Sequence, residues 1–241
     1  NGVQEVYRVN LKDLSVTELN NDLSDVADFW LGPKGKLLVY AAEQGAAENV
    51  ELYAVDLKKG GVANKISGIL DEDDNVDEVE VGARGRTVAY LTDDGSLNLV
   101  DLKTGEVTEI ATDVISFRMD LRDKALAYFT VSGLFYFDFK GGEDELVDVN
   151  PLTSGYVFDR KGRLFFQEIA GTDLSVYDPK AGEATKLADV SDGGVVDGKR
   201  RRYVNKSGTA GLVSIDLKTG EATQLIEDGT FNTVLSNSSV R

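Results

Sequence analysis

The 241-residue chain contains no cysteine and no histidine. Without Cys there are no disulfides, no thiolate nucleophile and no thiolate-held zinc. Without His there is no imidazole general base, no Ser-His-Asp triad and no His-ligated metal. Most familiar hydrolase and redox mechanisms fall with those two absences, and no residue is assigned a catalytic role. Long apolar runs are missing too, so no membrane-spanning helix is expected. No signal-peptide pattern opens the sequence at Asn1, which starts in strand-like residues as an excised or mature piece would. Base is scarce beside acid, with 26 Lys and Arg against 42 Asp and Glu, a net charge of −16. Such a surface repels nucleic acid and anionic lipid but tolerates cations and basic partners. The absence of Cys fits an extracytoplasmic protein, the location expected here.

What is present is a repeat. Leu97-Asn98-Leu99-Val100-Asp101-Leu102-Lys103-Thr104-Gly105-Glu106 recurs as Leu212-Val213-Ser214-Ile215-Asp216-Leu217-Lys218-Thr219-Gly220-Glu221. Further copies run over residues 52–61, 134–143 and 174–183, and a worn copy begins at Tyr7. The anchors Asn10, Asp56, Asp101, Asp138, Asp178 and Asp216 are 46, 45, 37, 40 and 38 residues apart. A period of about 40 with strand-like content is the mark of propeller blades. A second repeat precedes five anchors: Gly32-Pro33-Lys34-Gly35-Lys36, Gly82-Ala83-Arg84-Gly85-Arg86, and basic turns opening at Asp120, Asp159 and Asp197. Each leads into an apolar strand.

The expected fold is therefore all-β, a single six-bladed β-propeller over 1–241 with four antiparallel strands per blade and no helix of consequence. Strand A is short and apolar (Phe29-Trp30-Leu31; Ile115-Ser116-Phe117), strand B follows the basic turn, strand C ends at the anchor, and strand D follows Gly-Glu. In Asp-Leu-Lys-Thr-Gly-Glu the Asp can accept backbone N–H bonds while Gly supplies a positive φ, so the anchors are read as turn residues. Because the first anchor lies ten residues from Asn1, one blade lacks its first two strands there. The stretch Thr230 to Ser236 is expected to supply strand A, so that the two chain ends share a blade and close the ring.

The run Gly32-Pro33-Lys34-Gly35-Lys36-Leu37-Leu38-Val39-Tyr40, followed by Leu52-Tyr53-Ala54-Val55-Asp56-Leu57, resembles the WD40-like repeat of TolB-type propellers. That repeat reads Ser-Pro-Asp-Gly-Lys, an apolar strand, then Leu-Tyr-x-x-Asp. Gly32 and Lys34 replace its Ser and Asp, and only one blade keeps the Pro. The resemblance implies fold more than function. Such propellers occur in periplasmic and cell-surface proteins and as gating domains of serine peptidases.

In a propeller the turns within a blade gather at one face and the loops between strands B and C and between blades at the other. The basic turns (Lys34, Lys36, Arg84, Arg86, Arg122, Lys124, Lys58, Lys103, Lys140, Lys180, Lys218) then oppose an acidic face. Its longest loops are 20–28, 42–50 and 67–79. Asp22, Asp25, Asp71, Asp73, Asp74 and Asp77 on these loops are the candidate partner-binding residues. Alternating carboxylates in 71–78 would suit Ca²⁺, but Val76 stands where an EF-hand needs Gly and Gly82 where it needs the bidentate Glu, so a solvated acidic loop is the preferred reading. Asn205-Lys206-Ser207 and Asn237-Ser238-Ser239 match glycosylation acceptors but are discounted as chance. Phe29, Trp30, Phe117, Tyr156, Phe158 and Phe231 are expected in the core between blades. The functional expectation is a monomeric, non-catalytic binding, sensory or scaffold module for a protein or peptide ligand. The alternative is a carboxylate- or metal-dependent hydrolase, or a propeller gating a larger enzyme.

Overall fold

The computed structural model describes residues 4–20, 25–43, 49–71, 74–142, 144–149, 151–168, 173–189, 195–197, 202–206 and 212–226. Two compact units divide the chain, residues 1–114 and 115–241. In the first, β1 (Tyr7–Val9) and β2 (Val16–Glu18) form a two-stranded hairpin. Two four-stranded antiparallel sheets follow: β3 (Asp25–Leu31), β4 (Leu37–Glu43), β5 (Val50–Asp56) and β6 (Ala63–Lys65), then β7 (Val76–Val81), β8 (Thr87–Thr92), β9 (Leu97–Asp101) and β10 (Glu106–Ala111). The second unit holds three more. These are β11 (Val114–Met119), β12 (Ala125–Thr130), β13 (Gly133–Asp138) and β14 (Asp144–Asp148); β15 (Pro151–Phe158), β16 (Leu164–Glu168), β17 (Asp173–Asp178) and β18 (Glu183–Asp189); and β19 (Val195–Asp197), β20 (Arg202–Lys206), β21 (Leu212–Asp216) and β22 (Ala222–Ile226). Strands follow one another in chain order within every sheet. The one helical segment among the described residues is the 3-10 turn Pro33–Gly35.

Among the described residues five four-stranded sheets stand where six blades were expected. The anchor Asn10 heads the β1–β2 hairpin and, among the described residues, no four-stranded sheet. The expected partner stretch, 230–236, lies outside the described residues, and so does Phe231.

The second strand of a sheet reads as a continuous apolar run because both its faces are covered. In β4, Val39 and Ala41 pack with Leu52 and Ala54 against Val76, Val79, Val88, Tyr90 and Val100 of the next sheet. Leu38, Tyr40 and Ala42 alternate with them and pack on Leu19, Val26, Tyr53 and Val55. In the second unit Ala125, Ala127, Phe129, Leu134 and Tyr136 pack on Tyr156, Phe158, Leu164, Phe166 and Tyr177. The fourth strands carry polar sequence (Glu106, Thr108 and Glu109 in β10; Asp144 and Glu145 in β14), which suits an edge that must not pair further. Strand alternation also corrects one core expectation. Trp30 packs inward, whereas its neighbours Phe29 and Leu31 point out and are 54% and 62% exposed.

The six anchors behave as turn residues. Asn10 Oδ1 accepts from Lys12 N, Asp56 from Lys58 N, Asp101 from Lys103 N and Thr104 N, Asp138 from Lys140 N and Gly141 N, Asp178 from Lys180 N, and Asp216 from Lys218 N and Thr219 N. The basic turns use a related device. Asp120 and Asp159 are buried, and their Oδ1 atoms collect two backbone N–H groups each. Their Oδ2 atoms take the guanidinium of Arg122 at 2.8 Å and of Arg163 at 2.9 Å. Each buried carboxylate thus has a counter-charge and satisfied lone pairs.

Buried tyrosines donate to carboxylates, Tyr53 within its own strand and Tyr128 and Tyr177 across strands. Tyr53 Oη donates to Glu51 at 2.8 Å, Tyr128 to Asp144 at 2.5 Å and Tyr177 to Glu145, on the neighbouring sheet, at 2.5 Å. Burial, then the adjoining carboxylate, raises all three phenols well above the ordinary value, and burial pushes Tyr136 up to about 12. A folded value above the unfolded one, near 10, means the fold favours the protonated phenol. That stability is whole below about pH 10 and is lost as pH rises through the folded values. The urea midpoint should therefore fall steadily above about pH 10. A Tyr53→Phe/Tyr128→Phe/Tyr177→Phe variant should show a shallower decline, and equal slopes would contradict this assignment.

Candidate functional site

Charge is sorted by the ends of the sheets. The β3–β4 and β5–β6 turns lie at one end of their sheet and carry Lys34, Lys36, Lys58 and Lys59. Their crowding is felt: the Lys58 ammonium, and secondarily that of Lys34, lowers the pKa of Lys36. The opposite end of the first unit is acidic, and two asparagines organise it. Asn49 Nδ2 donates to the carbonyls of Asp71 (2.8 Å) and Asp74 (2.6 Å). Asn75 Oδ1 accepts from Val50 N at 2.8 Å, and its Nδ2 donates to Asp93 Oδ2 at 3.1 Å. The segment before β7 is thereby stitched to the β4–β5 loop on one side and the β8–β9 turn on the other.

Asp74 sits at the centre. Its Oδ1 accepts from Asn75 N at 3.0 Å and Asp94 N at 3.3 Å. Burial, with the charges of Asp94 and Asp93 behind it, raises the Asp74 carboxyl above the ordinary range, against the two N–H bonds. Asp94 is shifted the other way, chiefly by the Thr92 hydroxyl and Ser96 N. The fold therefore charges a partly buried carboxyl at a cost that an incoming cationic group would offset. Among the described residues no group of three or more acidic side chains is disposed to hold a metal ion.

The candidate residues divide as follows. Asp71 and Asp74 are brought together with Asp93 and Asp94. Asp77 is exposed in β7, next to this group in sequence. Asp25 opens β3 and accepts from Gln4 N at 2.9 Å, so it belongs to a different neighbourhood. Asp22 and Asp73 lie outside the described residues. Sequence reading missed Asn49 and Asn75, whose partners are 22 to 25 residues away except for Asp93, 18 away.

No helix among the described residues is long and apolar enough to cross a membrane. No protein-family model matches the chain, and no curated protein matches it. Solved structures do. Dipeptidyl peptidase 4 from Porphyromonas gingivalis aligns at 14% identity and a TM-score of 0.70, over 93% of this chain and 42% of that one. The β-propeller domain of Cps50 (Swd1) from Myceliophteria thermophila aligns at 14% identity and 0.52, over 78% of this chain and 64% of that one. TolB from Acinetobacter baumannii aligns at 13% identity over 90% of this chain and 58% of that one, but at 0.46 the likeness carries no argument. The chain spans less than two thirds of each of these proteins. At such identities the likeness speaks to fold alone: four-stranded antiparallel sheets in sequence, of the β-propeller type.

Proposed function

We propose that the chain is a non-catalytic binding module that engages a basic protein or peptide through its acidic loops. The observation that carries this reading is the Asn49–Asn75 stitching, which holds Asp71, Asp74, Asp93 and Asp94 together against their mutual repulsion. Acid that served only solubility would be free to spread. The module acts outside the cytoplasm in this reading, supported by the lack of Cys and by the TolB-type repeat pattern.

A decapeptide of alternating Lys and Ser is a suitable probe. It should bind the chain with one-to-one stoichiometry and weaken as salt rises past about 0.15 M, where charges are screened within roughly 8 Å. Changing Asp71, Asp73, Asp74 and Asp77 together to Asn should weaken it about tenfold or more, from four pairs worth about 0.2–1 kcal/mol each. Affinity indifferent to salt and to the substitutions would sink the reading.

A second reading is favoured by one observation. The chain matches 42% of a dipeptidyl peptidase at a TM-score of 0.70. In that case it is the propeller part of a larger enzyme, and the encoded full-length product would carry a hydrolase domain.

A further inference from the structure

Within the first unit a groove of about 500 Å³ runs between residues 4–8 and β3. Leu19, Val26, Leu38 and Leu57 contribute to its apolar lining, and Phe29 and Leu31 stand on it half or more exposed. One end is closed by the bond from Val26 N to Gln4 O, at 3.0 Å. Beyond that bond β3 pairs only with β4 among the described residues. Acid lines the groove at Glu5 and Asp28, with Asp25 at the closed end. Among the described lining residues the one cation, Arg8, donates from its guanidinium to Leu57 O at 3.0 Å.

We propose that this groove takes an extended segment of a partner protein, apolar at alternate positions and basic between them. An extended chain repeats its faces every second residue, so one face meets the exposed Phe29 and Leu31, above the buried Val26 and Leu38, while the other turns its cations to Glu5, Asp25 and Asp28. Charge complementarity selects this occupant, because a second copy of a chain of net charge −16 would bring acid to acid. The inference rests on the reading of the chain as a module for basic partners and adds the partner's conformation and apolar pattern.

Two labelled decapeptides separate the claims, one alternating Lys with Ser and one alternating Lys with Val. The Lys-Val peptide should bind at least tenfold more tightly, since each buried Val adds about a factor of ten by area. A Phe29→Ser/Leu31→Ser variant should abolish that preference while leaving Lys-Ser binding unchanged. Equal binding of the two peptides, or a preference that survives the double substitution, overturns the groove and leaves the broader reading intact. Absence of Lys-Ser binding instead strikes the broader reading itself. If the double variant, with no peptide present, melts more than about 5 °C below the parent, the groove is filled by the chain's own packing and the proposal is overturned.

Discussion

Replacing Gly133 by alanine should lower the melting temperature by roughly 6–12 °C, the equivalent of about 3 kcal/mol in a domain of this length. Gly133 opens β13 after the two-residue loop Val131-Ser132 and has φ +144°, a conformation that L side chains rarely adopt. A Cβ there would lie 2.3 Å from the Asp148 carbonyl oxygen and 2.9 Å from Leu146 Cδ1. The first obstacle is backbone of the edge strand β14, so relief requires moving that strand off β13. Backbone strain of about 1–3 kcal/mol adds to an overpacking cost of about 1–3 kcal/mol. Gly105 is the matched control. It has φ +75° in the β9–β10 turn, and nothing lies within 4 Å of the added carbon. Gly105→Ala should cost only the left-handed strain, about 1–2 kcal/mol. Thermal melts that put the two variants level would show that the β13–β14 approach is not the constraint described.

How far such detail was legible in the sequence depends on the range of the interaction. The anchor turns were readable because Asp101 or Asp216 meets its partners two or three residues on, so the chemistry is contained in the repeat. The strand leading from each basic turn was readable because burial on both faces leaves an unbroken apolar run, as in β4 and β12. Counting repeats overshot at Asn10, since a turn signature records only the two strands beside it and not a whole sheet. Phe29 and Trp30 are both expected in the core from their apolar character, yet a strand turns only alternate residues inward, so Trp30 packs there and Phe29 does not. In the acidic region the charges were visible but their arrangement was not. Asn49 and Asn75 are unremarkable letters in a loop, and their role appears only when segments about 25 residues apart are folded together.

That arrangement is the second large effect expected. Asn49→Ala/Asn75→Ala removes the four bonds that hold Asp71, Asp74, Asp93 and Val50 in place, while the net charge stays at −16. The bonds from Asp93 N to the residue-75 carbonyl and from Asp94 N to Asp74 Oδ1 remain, but the segment before β7 loses its ties to the β4–β5 loop and spreads under the repulsion of its acids. The cationic probe would then have to draw the loops together itself, and ordering two loops costs about 1 kcal/mol or more per fixed residue. The decisive measurement is the affinity of the Lys-Ser decapeptide for this variant, at fixed salt and below its melting transition. An organised binding site predicts a loss of about fivefold or more with no change in charge. Affinity equal to that of the parent chain would mean that the acids act only as diffuse charge, and the account of a built site would be wrong.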